Sequence, residues 1–530
     1  MSPPTKAKPR KPRAPKQPPI DKAAARRERE APPEVVDRDT IARTDAQVIG
    51  TSPIERTDAA PGIFPGAGAR DIVGTQGLRS APDPGTPKHG AEFVPTPGVA
   101  RPASGPGTPG REAEDVPGLD QDVPGVGQDM PDLDEVGESV SDRQELLTIN
   151  MGPHHPATHG VLRLLVSLEG EVVRDLKPIV GYLHTGIEKS CEQHSYWKVI
   201  PFVERMDYLS YFFSMEAYCG AVEKLLGIEI PPRAKYLRVM HMELNRIHSH
   251  LVWLGTTALD LGAMSMFWYC FRERDKILDL FEMSTGQRMH TRYFQVGGVF
   301  EDIPVGFERR VRAFCDEMPS RIDQYMALLD RNEIFLRRTK DVGIVSRERL
   351  LELGVTGPLL RAAGEPWDLR KVQDYLCYPE LDFQIPVGTV GDGYDRYRVR
   401  ISEMRESVKL VEQTLDGLPE GPHIVDDRKV VLPPRDELGT SMESLIHHFK
   451  LVTEGFRVPP GEVYYSIEHP RGELGCLVVA DGSAKPVRVH FRDPSFVNIQ
   501  SLRDMSVGGY VADLIQNLAM LDPILGGIDR

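Results

Sequence analysis

The chain has 530 residues, a net charge of -14 and 40% hydrophobic residues. An acidic chain of this kind is a poor non-specific binder of nucleic acid, so we expect no nucleic-acid partner. No apolar run approaches the roughly 18–20 residues that a membrane-spanning helix needs, so any membrane contact is expected to be peripheral. The six cysteines form no CxxC pair, and we expect reduced, buried thiols and no metal nest.

Residues 1–140 are rich in proline and glycine and contain no Trp, Tyr or Cys. This composition cannot bury enough apolar surface to offset chain entropy, so we predict a disordered extension. Its first thirty residues are basic, and residues 112–145 are acidic. The extension is either an electrostatic tether to an acidic partner or an anionic membrane surface, or a solvated tail without a partner, and the tail is the simpler interpretation.

The globular part is predicted to begin with a β-hairpin over residues 146–173, where apolar residues alternate with period two. Its loop, residues 152–160, holds three histidines, among them His155 and His159. Pro156 argues against a zinc-binding helix. The alternatives are a rigid loop whose imidazoles bond the backbone, or a histidine that delivers a proton, and composition does not choose among the three.

Apolar residues then recur every three or four positions, which predicts a helical body. These helices are expected over residues 205–226, 233–261, 265–285, 307–330 and 400–415. A capping box at Thr440-x-x-Glu443 is expected to open another helix. The last strands are predicted over 463–467, 475–479 and 487–491, with Asp481-Gly482 as a turn between the last two. The predicted fold class is α+β, a mainly helical body with β-hairpins at both chain ends.

Two polar features stand out in the helical part. Asp260 lies near the end of the helix predicted over 233–261, either as a capping acid of the next helix or as a carboxylate that needs a partner. Arg205, Asp207 and Tyr208 form a polar cluster at the predicted start of another helix. The glycine-rich segments match neither GxGxxG nor the P-loop pattern, so we infer no nucleotide site.

Several segments together resemble one known family, the 49-kDa subunit of respiratory complex I. They are 150–163 (NMGPHHPATHGVLR), 181–189 (GYLHTGIEK), 221–227 (AVEKLLG), 231–234 (PPRA), 259–263 (LDLGA), 320–323 (SRID), 440–443 (TSME), 447–450 (HHFK) and 506–530. The resemblance covers about 146–530 and leaves out the extension. One position departs from the family pattern, which usually has Gln where this chain has His154.

This family is similar to the large subunit of nickel-iron hydrogenases, which hold their metals with four cysteine thiolates. The corresponding positions of this chain are Asp207, Ser210, Ile524 and Gly527. Soft thiolates are what such a cluster needs, and all four are replaced. The resemblance therefore implies that residues 141–530 form a hydrogenase-like domain without the metal site, whose old metal cavity receives another two-electron substrate.

In the family, that cavity lies between this subunit and a small iron-sulfur subunit, and it receives a quinone headgroup that is reduced to quinol. The resemblance implies that His159 and Tyr208 hydrogen-bond the two ends of the headgroup. It also implies that Asp260 pairs with a protonated His159. This chain would bind no cofactor alone, because NAD(H) and the iron-sulfur clusters belong to partner subunits.

Three further residues carry over from the resemblance. Arg205 and His290 would lie beside the terminal iron-sulfur cluster of the partner subunit, where positive charge raises the cluster potential. Thr256 would belong to the wall of the quinone pocket.

The implied function is that of a peripheral-arm subunit of a proton-pumping NADH:quinone oxidoreductase, active only within the complex. Its partners would be iron-sulfur and other peripheral-arm subunits, together with membrane-arm subunits, on the cytoplasmic side of the cell membrane. Two alternatives stay open: a hydrogenase-like subunit of another membrane-bound redox complex, and a non-catalytic scaffold for iron-sulfur subunits. The lost cysteines count against the first, and the presence of His159, Tyr208 and Asp260 together counts against the second.

Overall fold

The computed structural model describes residues 146–530, and the extension expected over residues 1–140 lies outside them. The strands of the described part are β1 (Leu147–Met151), β2 (Arg163–Glu169), β3 (Val172–Ile179), β4 (Phe294–Gln295), β5 (Gly298–Val299), β6 (Gly461–His469), β7 (Gly472–Ala480) and β8 (Arg488–Arg492). The helices of its first half are α1 (Ile187–Gln193), α2 (Tyr196–Val203), α3 (Tyr211–Leu226), α4 (Pro232–Asp260), α5 (Met264–Thr285), α6 (Phe307–Leu329) and α7 (Glu333–Thr339). They are followed by α8 (Arg347–Glu352), α9 (Pro358–Ala362), α10 (Leu369–Val372), α11 (Gly393–Asp416), α12 (Met442–Thr453), α13 (Pro494–Asn498), α14 (Ser501–Ser506), α15 (Val511–Leu521) and α16 (Leu525–Asp529). A helical body between two antiparallel three-stranded sheets confirms the α+β prediction.

The N-terminal sheet confirms the predicted hairpin. β1 pairs antiparallel with β2, and the loop between them carries the three histidines. In β2, the alternating residues Leu164, Val166 and Leu168 are buried, as the two-residue period of a strand requires. The strand β3, which the sequence pattern did not indicate, pairs with β2 after a turn at Gly170, whose φ of +62° favours glycine.

The long helix α4 lies at the centre of the helical body and confirms the helix predicted over 233–261. It begins at Pro232, in the first turn, where a missing N–H costs nothing. The apolar residues from Leu237 to Ala258 that predicted this helix are buried, where α4 packs against α3, α5, α11 and α15. The helices α5 and α6 agree with their predicted ranges, whereas α11 begins earlier than predicted.

The helix predicted over 205–226 begins later than expected. Its first helical residue is Tyr211, and residues 204–210 form an irregular turn. The reason is Asp207, whose Oδ1 accepts the backbone N–H groups of Leu209 and Ser210, both at 2.9 Å. A short polar side chain that bonds the backbone in this way competes with helix formation. The Arg205–Tyr208 cluster therefore lies in a turn and not in a helix.

The helix start predicted at Thr440 is also shifted. Ser441 is the N-cap of α12, and its Oγ accepts the backbone N–H of Ser444 at 3.2 Å. The hydroxyl of Thr440 instead donates to the carbonyl oxygen of Glu437 at 3.3 Å. The helix prediction holds, but the predicted capping box is wrong by one residue.

The C-terminal sheet confirms the three strands predicted near the end of the chain, in the antiparallel order β6-β7-β8. Asp481 and Gly482 lie in the connection between β7 and β8, as predicted. Asp481 Oδ1 accepts the backbone N–H of Ser483 at 2.9 Å, and Gly482 has a φ of +95°. These are the local bonds and backbone angles of a turn.

Buried apolar side chains form two clusters. The larger joins the helical body to the C-terminal sheet, and the smaller lies between the N-terminal sheet, α8, α9 and the C-terminal helices. The six cysteines are buried, as predicted. Within residues 146–530, no helix is long and apolar enough to cross a membrane.

The two clusters meet where residues 522–527 pack on the 204–210 turn. A Cβ at Gly526 would collide there with the carbonyl oxygen of Met206.

Buried ion pairs connect the helices of the body. Arg361 of α9 contacts Glu403 of α11 at 2.7 Å and Glu468 of β6 at 2.7 Å. Glu403 also lies 2.9 Å from Nε2 of His250 in α4. All four side chains are at most 1% exposed. Breaking such a pair is costly because it leaves a charge without water and without a partner.

Replacing Glu403 with Gln should therefore lower the free energy of unfolding by about 1.5–3 kcal/mol, measured by urea denaturation of the full chain, because Arg361 loses one charged partner but keeps Glu468. The matched control is Glu333→Gln, because the pair of Glu333 with Arg337 is 75% and 78% exposed. That change should cost less than about 1 kcal/mol. Equally small effects of the two substitutions would contradict a stabilising role for the buried pairs.

Candidate functional site

His159 ends the short 3-10 helix Pro156–Thr158 in the loop between β1 and β2. Its backbone is left-handed, with a φ of +54°, which is uncommon for residues other than glycine. Thr158 holds the loop by donating a side-chain hydrogen bond to the carbonyl oxygen of His155 at 2.8 Å. A Cβ at Gly152, on the opposite side of the loop, would collide with Thr158. The position of His159 is thus set by the loop backbone.

Tyr208 lies in the 204–210 turn, directly after Asp207, whose carboxylate shapes that turn. The residue is half-buried. Burial and the adjacent carboxylate of Asp207 raise the pKa of Tyr208 to about 12. The phenol therefore keeps its proton at neutral pH and remains a hydrogen-bond donor.

Arg471, in the tight turn between β6 and β7, joins three segments of the chain. Its Nη1 donates to Asp207 Oδ2 at 2.9 Å and to Ser210 Oγ at 3.1 Å. Its Nη2 donates to Asp522 Oδ1 at 3.1 Å, and its Nε donates to the Asp522 carbonyl oxygen at 2.8 Å. Arg471 is only 1% exposed. One buried guanidinium thus cross-links the Tyr208 turn, the β6–β7 hairpin and the segment before α16.

His469 of the same hairpin also contacts Asp207. Its Nδ1 accepts the backbone N–H of Arg471 at 3.2 Å, which assigns the ring proton to Nε2. Nε2 lies 2.9 Å from Asp207 Oδ2. Although burial raises it, attraction to Arg471 and His469 holds the pKa of Asp207 below its usual range. Asp207 is therefore a stable carboxylate between two basic side chains of the hairpin.

His159 and Tyr208 have Arg471 as a common charged neighbour. Burial, and then repulsion by Arg471, lower the pKa of His159 to about 4. The residue as a whole is solvent-exposed, so the shift reflects the protein packed around part of the ring and the charge of Arg471, not complete burial. The positive charge of Arg471 also acts on Tyr208, where it lowers the pKa against the larger effect of burial. At neutral pH this environment keeps His159 neutral, whereas the resemblance implied a protonated ring.

Asp260 is the last residue of α4 and is exposed. Within the described part of the chain it makes no hydrogen bond or ion pair with His159, so the expected pairing is not present. Partial burial raises the pKa of Asp260, and the nearby charge that opposes this rise is His155. The loop histidine that acts electrostatically on Asp260 is therefore His155. Thr256, one helical turn earlier, donates its hydroxyl to the carbonyl oxygen of Val252 at 3.0 Å.

Arg205 and His290 form a second group around Glu204. The exposed Arg205 donates to Glu204 Oε1 at 3.1 Å. Glu204 is buried, and its other oxygen accepts the backbone N–H of Arg292 at 2.9 Å. Burial and the charge of Arg205 lower the pKa of the half-buried His290. The structure thus brings these two predicted residues close to each other, at the start of the turn that contains Tyr208.

The four positions that the resemblance matches to hydrogenase cysteines, Asp207, Ser210, Ile524 and Gly527, lie in the Tyr208 turn and in residues 522–527. A Cβ at Gly527 would collide with the carboxylate of Asp493. Among residues 146–530, no group of three or more His, Cys, Asp or Glu side chains has the arrangement of a metal site. The guanidinium of Arg471 also bonds the residues at two of these positions, and a fixed positive charge repels a metal cation. The residues present therefore do not fit a nickel-iron centre.

Sequence reasoning missed Arg471 and His469. The signal was a short segment with two basic residues between two apolar strands, opposite the two lone carboxylates Asp207 and Asp522. Buried carboxylates need cationic partners, but the sequence alone does not show which basic residue reaches them.

Comparison with known proteins identifies the family. The model of the respiratory-chain NADH dehydrogenase 49-kDa subunit matches residues 260–530. The D subunit of the NADH-quinone oxidoreductase of Acidothermus cellulolyticus is 52% identical in an alignment of 418 positions that covers 75% of this chain and 95% of that protein. The chain belongs to the 49-kDa subunit family. A D subunit of the same enzyme from Chloroflexus aurantiacus is 55% identical over 395 residues, 74% of this chain and 96% of that protein. These members of the 49-kDa family align over nearly their whole length, and about a quarter of this chain has no counterpart in them.

The lack of fit to a nickel-iron centre predicts the metal content of the chain. The purified full chain should contain far less than one atom of nickel, iron or zinc per molecule, measured by elemental analysis after removal of loosely bound ions. A stoichiometric metal that survives this treatment would contradict the conclusion that Arg471 and its partners leave no place for a metal cation.

Proposed function

We propose that this member of the 49-kDa family forms, with an iron-sulfur partner subunit, the cavity in which a proton-pumping NADH-quinone oxidoreductase reduces quinone to quinol. The names of its relatives support the overall activity. The observation that supports a quinone site in this chain is that two side chains able to donate hydrogen bonds, His159 and Tyr208, both lie within the electrostatic reach of the buried cation Arg471.

Reduction of a quinone takes two electrons and two protons, and each carbonyl oxygen gains one proton. A protonated Tyr208 can donate a hydrogen bond to one oxygen. The neutral ring of His159 can donate its N–H to the other. As electrons arrive, negative charge on the headgroup would raise the pKa of His159, so that the imidazole could take up a proton and pass it on.

Asp260 would complete this arrangement in the assembled complex by stabilising the imidazolium of His159. That role requires the His159 loop and the end of α4 to approach each other, because the described chain does not join the two side chains. Thr256 would line the same end of the pocket, one helical turn from Asp260.

The electrons would come from the terminal iron-sulfur cluster of the partner, and NAD(H) would be bound by another subunit. Arg205 and His290 would face this cluster. Their position supports the role, since Arg205 is exposed and adds positive charge beside His290. Positive charge near a cluster stabilises its reduced form and raises its potential.

The chain would thus work as one subunit of a larger assembly at the membrane. Other peripheral-arm subunits and membrane-arm subunits would surround it on the cytoplasmic side of the cell membrane. The loss of four thiolates weighs against a hydrogenase-like catalyst, and a scaffold without quinone contact has no need for donors at His159 and Tyr208.

In an assembled complex, His159→Ala or Asp260→Asn should lower quinone reduction about a hundredfold or more, because proton delivery to the headgroup is lost. Electron transfer from NADH to an artificial acceptor upstream of the quinone should survive. The matched control is His447→Ala on α12. Equal loss of both activities in the site variants would favour the scaffold alternative.

Tyr208→Phe should lower quinone reduction by only about two- to tenfold, because one hydrogen bond is lost while the ring still fills its place. Tyr208→Ala should have a clearly larger effect, since it also opens a cavity. Steady-state rates with a short-chain quinone measure both. A phenylalanine variant as inactive as the alanine variant would mean that the hydroxyl transfers a proton that nothing else supplies.

A further inference from the structure

Both the side chain and the backbone of Arg471 are fixed by hydrogen bonds. Besides its bonds to Asp207 and Asp522, its carbonyl oxygen accepts a hydrogen bond from Asn498 Nδ2 at 3.0 Å. The next residue, Gly472, has a φ of +136°, and a Cβ there would collide with Thr356. The turn that carries the guanidinium is therefore held in place from both sides.

A buried ion pair is a poor way to gain stability alone, because well-packed apolar residues of similar volume often do as well or better. The position of Arg471 suggests another use. Its partner Asp207 directly precedes Tyr208 in the chain, and its charge also reaches His159. Arg471 is therefore linked to both proposed headgroup contacts, to Tyr208 through Asp207 and to His159 through its charge.

We propose that Arg471 is a positioning residue for quinone reduction, which fixes the Tyr208 turn through Asp207 and presents a permanent positive charge to the headgroup. The inference rests on the proposed quinone site. The headgroup becomes negative when electrons arrive before both protons, and a preorganised charge stabilises that state without rearrangement. Arg471 itself transfers neither electrons nor protons, since a guanidinium does not lose its proton in proteins.

The two carboxylates keep this charge in place. Asp207 Oδ2 is shared with His469, and its Oδ1 is used by the turn backbone. Arg400, which is also buried, lies close enough for its charge to oppose the burial that raises the pKa of Asp522. Arg471 and Arg400 thus offset the charges of Asp207 and Asp522, so the removal of Arg471 leaves an excess of negative charge beside the proposed headgroup site.

The test compares Arg471→Gln and Arg471→Lys with His159→Ala in assembled complexes. Quinone reduction is measured as kcat and KM with a short-chain quinone, relative to electron transfer to the upstream artificial acceptor. We expect Arg471→Gln to lower kcat at least about tenfold with KM changed less than about threefold, because charge on the reacting headgroup loses its stabilisation. Arg471→Lys, which keeps the charge but not the fork, should restore part of kcat.

The matched control is Arg361→Lys, because Arg361 is equally buried between carboxylates but has no contact with the Tyr208 turn. It should leave kcat per assembled complex unchanged. A wild-type kcat in Arg471→Gln, or a parallel loss of both activities, would overturn the inference. If Arg471→Gln does not assemble, Arg471→Lys decides: a reduced kcat at nearly constant KM supports the inference, and a wild-type kcat overturns it. Retained quinone reduction in His159→Ala would instead refute the proposed function.

Discussion

The positive charge of Arg471 has almost no water around it, and the geometry of the candidate site follows from how that charge is balanced. Asp207 supplies one counter-charge from the turn before α3, and Asp522 supplies another from the segment before α16. These segments are far apart in sequence and belong to different apolar clusters. A guanidinium has five donors in a rigid fork, so Arg471 makes its bonds to Asp207, Ser210 and both the carboxylate and the carbonyl oxygen of Asp522 at once, one more than the three donors of a lysine allow.

The helical body repeats this arrangement. Arg238 of α4 lies between Glu216 and Glu223 of α3, at 3.0 and 2.6 Å, and Arg361 lies between Glu403 and Glu468. Each of these arginines connects different helices and strands of the body. Because breaking a buried pair costs several kcal/mol, such networks hold the helices at fixed positions. The body is therefore a stiff support for the loop and the turn that carry His159 and Tyr208, as a preorganised site requires.

Regular patterns in the sequence were enough to predict most of the fold. The alternation in β2 and the three-to-four spacing in α4 predicted these elements correctly because one side of each faces an apolar cluster. The start of α3 was mispredicted because Asp207 bonds two backbone N–H groups, a local competition that periodicity does not register. The capping box at Thr440 was wrong by one residue for a similar reason, since Ser441 is an equally good cap.

The candidate site was predictable only in part. His159, Tyr208, Asp260, Arg205 and His290 were identified through motifs, but their mutual distances depend on long-range packing. Asp260 shows this best, because the structure brings it near His155 and not near His159. Arg471 was missed because its partners are more than 50 residues away in sequence on one side and more than 260 on the other.

The most direct measurement is a structure of the assembled complex with a quinone bound at the end of its electron-transfer chain. We expect one carbonyl oxygen within about 2.7–3.2 Å of the His159 ring and the other within the same distance of the Tyr208 hydroxyl, with Arg471 still bound to Asp207. A headgroup that is reduced elsewhere in the complex, with neither His159 nor Tyr208 in contact, would contradict it.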